Sequence, residues 1–334
     1  MTIDSKTISG KLNWAVAGTG VIANEMAAAL ASMGRRIYAL WNRTYDKGVR
    51  FAEKYNVGHV YADYDEMMND PDIDAVYITT PHNTHYYYMK KALNSGKHVL
   101  CEKSITLNIR ELDEMIALAG EKGLFIAEAQ TIWHMPLYKE LWSIVESGRL
   151  GKVQMITMNF GSFKEYDMSN RFFNMELAGG ATLDIGCYAL SIIRSFMSST
   201  PDRIVSQWKN APTGADEQVT ALLMNKEGQM ATMALSMHSK QPKRAMISCE
   251  KAYIEIMEYP RASRAFIVDA ETGHRTEVSA GNTADALAYE ICDMERAVLT
   301  SDPSVLKLEY SRDVMDIMTR LRKEHGIKYP GEEW

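Results

Sequence analysis

Asp184 and Tyr188 are the side chains whose types and spacing best fit acid/base chemistry in this sequence. They follow Gly179 and Gly180 and stand four residues apart, so in a helix both lie on one face. A phenol titrates at a pH of about 10, and a nearby lysine ammonium favours its anion and lowers that pKa. The alternative is a core helix in which the tyrosine only packs. We predict a helix that runs from the glycines to about Met197.

Lys103 follows an apolar run of the strand type, with Glu102 before it and Ser104 after it. If the strand is parallel, both charged groups stand at the carboxyl edge of the sheet, where open α/β sheets bind ligands. There they can hold a ribose and a reacting hydroxyl. The alternative is an exposed ion pair that contributes little to stability.

A polar segment with two histidines follows another apolar run and is expected at the same sheet edge. His82 and His85 are three residues apart, a spacing that suggests a metal site. No cysteine or carboxylate accompanies them, so we expect no metal here. The residues of this segment predicted to contact the cofactor are Thr80, Pro81, Asn83 and His85.

A glycine turn between an apolar run and an alanine-rich run has the pattern that binds a dinucleotide. Gly18 makes the tight turn, Gly20 lets the backbone approach a pyrophosphate, and the small Ala23 lets helix pack on strand. The phosphates would bind the N–H groups and the positive dipole end of the helix. The pattern alone is weak evidence, and its place between strand and helix strengthens it. The predicted pyrophosphate-binding residues are Gly18, Thr19, Gly20, Val21 and Ile22.

The end of the second strand predicts which dinucleotide is bound. Folds that bind NAD usually have an acidic residue there for the ribose 2′-hydroxyl, whereas NADP binders replace it and supply a cation. This strand ends in Asn42 and Arg43, without a carboxylate. Asn42 can hydrogen-bond, and Arg43 can bind a phosphate with its guanidinium or stack on the adenine. We predict NADP, with NAD possible; the alternative is a solvated loop arginine.

The order of elements predicts two domains. Short apolar runs alternate with helical patterns over residues 12–128, which indicates a doubly wound parallel sheet. After a helix beginning near Pro136, successive strands indicate an α+β domain with a largely antiparallel sheet. The predicted domains are residues 1–128 and 129–334, with closing helices near 284–300 and 310–323. The predicted strands are 12–17, 36–41, 59–61, 75–79, 98–101, 124–127, 152–162, 203–209, 218–225, 229–238, 244–250, 252–259 and 265–268.

Composition limits the class of protein. A chain of 334 residues with 46% hydrophobic and 24% charged residues is typical of a soluble globular protein. The net charge of −6 argues against nucleic-acid or membrane partners. Residues 1–12 are polar and lack the apolar core of a secretion signal, so we expect a cytoplasmic protein. Four widely spaced cysteines are predicted to be reduced core residues: Cys101, Cys187, Cys249 and Cys292.

Taken together, these segments resemble the glucose-fructose oxidoreductase, inositol dehydrogenase and rhizopine-catabolism family (Gfo/Idh/MocA). The glycine turn, the segment 80–85, the strand 97–103 and the segment 179–188 fall in the family's order and spacing. The resemblance implies a Rossmann domain followed by a domain whose open sheet often forms the oligomer interface. It also implies metal-free hydride transfer on sugars, polyols or related alcohols.

The resemblance also implies roles for individual residues. Lys103 matches the family's active-site lysine, and Asp184 matches the aspartate of its Asp-Ile-Gly segment. Tyr188 falls where many members have histidine, and tyrosine there resembles the branch that includes glucose-fructose oxidoreductase and dimeric dihydrodiol dehydrogenase, whose members favour NADP. The chain departs from the family pattern at Ser104, where proline is usual, and at Ala181, where a third glycine is usual.

The sequence thus predicts an NADP-dependent oxidoreductase that acts on a sugar, polyol or dihydrodiol-type substrate, with Tyr188 as acid/base, Lys103 assisting and Asp184 orienting hydroxyls. Trp133 and Arg171 are predicted to line the substrate pocket, although Arg171 also fits a surface ion pair. The expected assembly is a homodimer or tetramer. One alternative is a non-catalytic dinucleotide sensor of the same fold. Another is an enzyme that passes hydride between two substrates without releasing its cofactor.

Overall fold

The computed structural model describes residues 11–333, which form two compact units. The first unit comprises residues 11–106, 110–130 and 284–308. The second comprises residues 107–109, 131–283 and 309–333. Most of the polar start behind the cytoplasmic prediction, residues 1–10, lies outside the described residues.

The first unit contains a six-stranded sheet in which every strand pairing is parallel. Its strands are β1 (Trp14–Ala17), β2 (Ala39–Trp41), β3 (His59–Tyr61), β4 (Ala75–Ile78), β5 (His98–Glu102) and β6 (Ile126–Ala129). They pair in the order β3-β2-β1-β4-β5-β6, the doubly wound Rossmann order. The predicted parallel sheet is confirmed. Strands β1 and β4 are buried at every position, as expected of parallel strands covered on both faces.

A helix from late in the chain belongs to the first unit, whereas chain order alone placed it in the second predicted domain. Its residue Glu295 accepts a hydrogen bond from the Trp14 indole N–H at 2.9 Å and pairs with Arg35 at 2.8 Å. A buried carboxylate needs such partners, so the helix is held to the Rossmann sheet. The helices of this unit are α1 (Val21–Ser32), α2 (Tyr45–Tyr55), α3 (Tyr64–Met68), α4 (His85–Asn94), α5 (Ile109–Lys122) and α9 (Ala286–Thr300).

The second unit contains an eight-stranded sheet that is antiparallel except for one parallel pair. Its strands are β7 (Val153–Gly161), β8 (Arg203–Asn210), β9 (Asp216–Met224), β10 (Met230–Ser236), β11 (Gln241–Cys249), β12 (Ala252–Met257), β13 (Arg264–Asp269) and β14 (Arg275–Ser279). The order is β14-β13-β12-β11-β7-β10-β9-β8, with β7 and β10 parallel. The predicted, mostly antiparallel sheet is confirmed. Strand β14 was missed because its charged, exposed sequence lacks an apolar run.

One long helical run of the second unit carries the predicted acid/base segment. Residues 182–186 are π-helical and continue directly into α8 (Cys187–Phe196), so the predicted helix begins with a wider turn than an α-helix. Residues 175–196 are long and apolar enough to cross a membrane by composition, but 83% of the apolar 18-residue window within them is buried inside the protein, as in a core helix. The other helices of this unit are α6 (Thr131–His134), α7 (Pro136–Glu146) and α10 (Leu308–Glu324).

The cysteines are free thiols, as predicted, but only two of them lie in the core. Cys101 and Cys187 are buried, whereas Cys249 and Cys292 are half-buried. The prediction of four core cysteines is therefore wrong for the second pair. Burial raises the pKa of the Cys101 thiol well above its usual value, so that thiol is inert.

Candidate active site

Three polar segments of the first unit follow neighbouring strands at the carboxyl edge of the parallel sheet. The glycine turn follows β1, the segment 79–85 follows β4, and Lys103 follows β5. The strand order reverses between β1 and β4, and open α/β sheets bind ligands at such a point. Among the predicted site residues, the structure groups those of the first unit along one edge.

The glycine turn is closed at its first glycine and open at its second. Gly18 has φ +109°, and a Cβ there would lie 2.7 Å from Thr79 Oγ1, so only glycine fits beside β4. Gly20 is the N-cap of α1, and a Cβ there would meet nothing within 4 Å. No side chain caps this helix, and Val21 is 75% exposed. The start of α1 therefore has the open backbone that a pyrophosphate requires.

An open groove of about 620 Å³ lies at this helix start. Asn24 fixes one side of it by donating to Gly20 O at 2.8 Å, and its own Oδ1 accepts from the Tyr55 hydroxyl at 2.8 Å. These two hydrogen bonds hold the Asn24 side chain against the turn. Its lining residues are Thr19, Gly20, Val21, Asn24, Glu25 and Ala28.

Asn42 and Arg43 lie directly after β2, beside the glycine turn. The Thr19 hydroxyl donates to Asn42 Oδ1 at 3.1 Å, and the Asn42 amide donates to Thr44 O at 2.8 Å. Arg43 is exposed, and within residues 11–333 no carboxylate forms an ion pair with it. Burial raises the pKa of the nearby Tyr88, and the charge of Arg43 partly opposes that rise. The guanidinium can therefore meet a ligand phosphate.

The two histidines hold the backbone around Lys103. A ring nitrogen of His82 lies 3.0 Å from Lys103 O, and one of His85 lies 3.0 Å from Ser104 O. The second ring nitrogen of His85 lies 2.8 Å from Thr80 O, and its side chain is fully buried. Burial lowers the pKa of His85, and the hydrogen bonds to the Thr80 and Ser104 carbonyls oppose that shift. His85 was predicted to contact cofactor, but its ring contacts protein backbone instead.

No group of three or more potential metal ligands occurs among residues 11–333. Of the other residues predicted in this segment, Pro81 and Asn83 are exposed and Thr80 is half-buried. Pro81 is the N-cap residue of the short 3₁₀ helix His82–Thr84. The segment therefore exposes the Asn83 side chain, while the buried His85 ring contacts the backbone at Thr80 and Ser104.

Lys103 and Glu102 are both half-buried at the end of β5. The hydroxyl of Tyr77, on the neighbouring β4, donates to Glu102 Oε1. The Lys103–Ser104 peptide bond is cis, although the second residue is serine. Sequence reasoning missed Tyr77, which lies inside an apolar strand pattern and gives no local signal of a polar role.

Asp184 and Tyr188 lie in the second unit, on the helical run that starts at residue 181. Asp184 is buried, and Arg171 NH1 lies 3.2 Å from its Oδ1. Arg171 is half exposed and its guanidinium lies 4.3 Å from the Phe172 ring centroid. Tyr188 is half-buried, with its ring centroid 6.0 Å from that of Phe160. In this unit the carboxylate of Asp184 and the phenol of Tyr188 thus lie on one helical run, and the guanidinium of Arg171 pairs with that carboxylate.

Trp133 does not fit its predicted place in the substrate pocket. Its side chain is fully buried, and its indole N–H donates to Ser311 Oγ at 3.1 Å. The ring also packs edge-on against Tyr310. A fully buried tryptophan with a satisfied N–H is a core residue, so the predicted lining role is wrong.

The start of the acid/base helix depends on a residue that sequence reasoning missed. Asp216 Oδ2 accepts hydrogen bonds from the Thr182 backbone N–H and hydroxyl, both at 2.6 Å. Asp216 is fully buried, and burial raises its pKa to about 6. The contact joins residues 34 positions apart, so no local pattern announces it.

The strand order and the open glycine turn at this edge of the sheet define a Rossmann domain of the dinucleotide-binding type. Residues 12–130 match the family model GFO_IDH_MocA, described as an oxidoreductase family with an NAD-binding Rossmann fold. Residues 138–255 match the model of the GFO/IDH/MocA C-terminal domain. The protein belongs to the Gfo/Idh/MocA family, so the predicted family is confirmed.

Full-length relatives are similar over almost the whole chain. The trans-1,2-dihydrobenzene-1,2-diol dehydrogenase of Xenopus tropicalis is 27% identical, covering 95% of this chain and 99% of the relative. The enzyme of that name from Oryctolagus cuniculus is 28% identical, covering 95% and 100%. Both are named as dehydrogenases, in agreement with the oxidoreductase family.

Solved structures share the fold. A 3-ketoreductase from Actinomadura kijaniata, in complex with NADP and TDP-benzene, superposes with a TM-score of 0.84 at 22% identity, covering 94% of this chain and 98% of that one. UDP-N-acetylglucosamine 3-dehydrogenase from Acidithiobacillus ferrooxidans gives a TM-score of 0.79 at 20% identity, covering 94% and 97%. At these identities the likeness concerns the fold.

Proposed function

We propose that this protein is an NADP-dependent oxidoreductase that transfers hydride between nicotinamide and an alcohol or carbonyl group of a sugar, polyol or dihydrodiol. The observation that carries the proposal is the open start of α1 at the sheet edge that also bears Lys103. A binding protein needs the first feature only. An enzyme of this family needs a charged group near the reacting carbon as well.

NADP fits the residues of the first unit. The uncapped start of α1 would hold the pyrophosphate, and the exposed Arg43 would hold the 2′-phosphate. The absence of a carboxylate at the end of β2 supports NADP over NAD. The ketoreductase of similar fold was solved with NADP. When bound, NADP supplies the hydride acceptor or donor.

The protein's own residues would move the proton. Tyr188 would take the proton from the substrate hydroxyl during oxidation and return it during reduction. The charge of Lys103 would stabilise the phenolate and so lower the pKa of Tyr188. Asp184, held by Arg171, would orient a substrate hydroxyl. Solved variants of the Actinomadura ketoreductase replace a tyrosine by phenylalanine and a lysine by alanine or glutamate, which are the same residue types.

Steady-state turnover of NADP(H) with a panel of sugars, polyols and dihydrodiols tests the proposal. At least one compound should be oxidised or reduced, and Tyr188→Phe and Lys103→Met should each lower kcat about 100-fold or more. The matched controls are Tyr87→Phe and Lys226→Met, which change exposed residues elsewhere. Both controls should retain full activity. Unimpaired turnover by the Tyr188 and Lys103 variants would disprove the mechanism.

A dinucleotide sensor is the second candidate, and Ser104 in place of the usual proline favours it. Thermal shift separates the two candidates, because a ligand stabilises the state that it binds. NADP should raise Tm under both. A further rise on adding a panel sugar to the NADP-bound protein is expected only of the enzyme.

We also propose that the protein is a cytoplasmic homodimer or tetramer, formed through the outer face of the second unit's sheet. Val205 pairs with Leu222 and Met230 with Met155, and these four side chains are 36–66% exposed. Exposed apolar patches of this kind commonly mark interfaces. Leu222→Lys should shift the assembly toward monomers in sedimentation, whereas Leu299→Lys, on α9, should leave it unchanged.

A further inference from the structure

The helical run that carries Asp184 and Tyr188 starts against a buried carboxylate. Gly180 precedes the run, and its carbonyl accepts the backbone N–H of Asp184 at 3.1 Å. Asp216, at the start of β9, accepts both the N–H and the hydroxyl of Thr182. It therefore occupies the place of a helix N-terminal cap, although it comes from a different part of the chain.

The second oxygen of this carboxylate packs directly on the turn. A Cβ built on Gly180 would overlap Asp216 Oδ1, and Gly180 has φ +135°. Within residues 11–333, Oδ1 has no hydrogen-bond partner. Buried polar atoms are normally hydrogen-bonded, so leaving Oδ1 without a partner costs stability. Glycine at position 180 therefore serves two needs: it adopts the positive φ of the turn, and it leaves room for the Asp216 carboxylate.

A second contact fixes the same turn from the C-terminal segment. The Tyr329 hydroxyl donates to Gly179 O at 2.9 Å. Glu332 accepts from the Tyr329 backbone N–H at 3.1 Å and from Arg322 at 2.6 Å. The residues before the helix are thus held on two sides, and Asp216 holds the first helical turn itself.

We propose that Asp216 is a positioning residue for the reaction, which acts through Thr182 to set where Asp184 and Tyr188 stand. Thr182 is two residues before Asp184 and six before Tyr188 on one helical run, so a shift of its backbone moves both side chains. This inference rests on the proposed function. It adds a residue that touches neither substrate nor cofactor.

The charge of Asp216 gives the inference a distinctive signature. Burial raises the pKa of Asp216 to about 6, against the hydrogen bonds from Thr182 and the charge of Arg322. Below that pH the carboxyl gains a proton and accepts the Thr182 bonds more weakly. The other charged or titratable groups around it are Arg322, Tyr329, Glu332 and Asp184. The pKa of Tyr329 is raised by burial, and that of Glu332 is lowered by Arg322 against its own burial, so neither changes charge near pH 6.

Asp216→Asn is the central test, because it keeps the shape and one acceptor oxygen but removes the charge. We expect kcat to fall about 10- to 100-fold, as for a misplaced catalytic group, with KM for NADP within about twofold of the wild-type value. The wild-type kcat should also fall below a pH of about 6, and the variant should lack that limb. The matched control is Asp63→Asn, which changes a carboxylate that caps α3 through two backbone N–H groups. It should leave kcat and its pH profile unchanged.

Hydrogen exchange of residues 181–188 provides a readout that does not depend on turnover. These amides should exchange faster in Asp216→Asn than in the wild type, with other segments unchanged. If Asp216→Asn does not fold, Thr182→Val, which removes only the hydroxyl donor, takes its place with the same readouts. Thr182→Ser should restore wild-type behaviour.

The results separate this inference from the proposed function. An Asp216→Asn variant with wild-type kcat and pH profile overturns the inference, even if exchange is faster, because the residue then serves stability alone. If the wild-type protein turns over no panel compound, the proposed function fails. Exchange at residues 181–188 then decides whether Asp216 fixes the segment, and unchanged exchange overturns that as well.

Discussion

Two helices of this protein begin after a pair of glycines, and their starts are used in opposite ways. At the first, the Gly20 carbonyl accepts the Asn24 N–H at 3.2 Å. At the second, the Gly180 carbonyl accepts the Asp184 N–H at 3.1 Å. The glycines thus hold equivalent places, each four residues before the first amide bonded within the helix.

The surroundings of the two starts differ. Around Gly20 a Cβ would meet no atom within 4 Å, and no side chain caps α1. Around Gly180 a Cβ would overlap Asp216, whose other oxygen takes the Thr182 N–H. Both helix ends attract an anion because their N–H groups and dipole point the same way. One leaves that place open for a ligand, and the other fills it with the protein's own carboxylate.

This difference shows what glycine contributes at each start. At Gly20 it keeps space free for an incoming group, and its backbone conformation is one that any residue can adopt. At Gly180 it makes room for a buried carboxylate, in a conformation that other residues rarely adopt. A methyl group added at the first site should affect binding, and one added at the second should affect folding.

The largest effect is expected for Gly180→Ala. The left-handed conformation costs about 1–3 kcal/mol for a residue with a Cβ, and crowding against Asp216 adds about 1–3 kcal/mol. The free energy of unfolding should therefore fall by about 4 kcal/mol, measured by urea denaturation. The control is Gly228→Ala, which also has a positive φ, +82°, but no neighbour within 4 Å.

That control should lose only about 1–2 kcal/mol, the cost of the conformation alone. Equal losses for Gly180→Ala and Gly228→Ala would show that Asp216 yields freely. The carboxylate of Asp216 would then not restrict the space at the second helix start, and the proposed difference between the two helix starts would be disproved.

A smaller effect, on cofactor binding instead of folding stability, is expected for Gly20→Ala. Its Cβ would occupy space through which the pyrophosphate approaches the backbone, so Kd for NADP should rise about 10- to 100-fold, equivalent to about 1.4–2.7 kcal/mol. Stability without cofactor should change by at most about 1 kcal/mol. Titration calorimetry and urea denaturation measure the two quantities.

Gly120→Ala on α5 controls for the added methyl group, because that site is also open and lies within a helix. It should leave Kd unchanged. A large loss of stability in Gly20→Ala, with Kd intact, would reverse the roles assigned to the two glycines.

The sequence predicted the first helix start far better than the second, for a physical reason. A ligand-binding start is built from consecutive residues, so the pattern from Gly18 to Ala23 and the apolar runs around it contain most of the information. The second start depends on Asp216, whose contact with Thr182 forms only when β9 reaches the helix. No local pattern encodes such a contact.

Side-chain burial was the other property that the sequence left open. Trp133 and His85 were predicted to belong to the site, yet both are fully buried. The strand pattern gave the two sheets, because apolar runs follow burial directly. The polar edge strand β14 and the π-helical turn at 182–186 have no such pattern and were missed.

The smallest expected effect concerns the charge that completes the open helix start. Arg43→Ala should raise Kd for NADP about tenfold, or about 1.4 kcal/mol, because an exposed guanidinium bound to a phosphate is screened by water and salt. Kd for NAD should stay within about twofold. The control is Arg50→Ala on α2, which removes the same charge from an exposed position six residues after Thr44, the last residue of the loop between β2 and α2. It should change Kd for neither cofactor.

The salt dependence of Kd sharpens this result. If Arg43 binds the 2′-phosphate, NADP binding should weaken with added salt in the wild type and less so in Arg43→Ala. Equal losses for NAD and NADP would instead mean that the guanidinium stacks on the adenine, which both cofactors share. The pyrophosphate would then be the single anionic group of the cofactor bound near the first helix start. The second helix start likewise has a single anionic group, the carboxylate of Asp216.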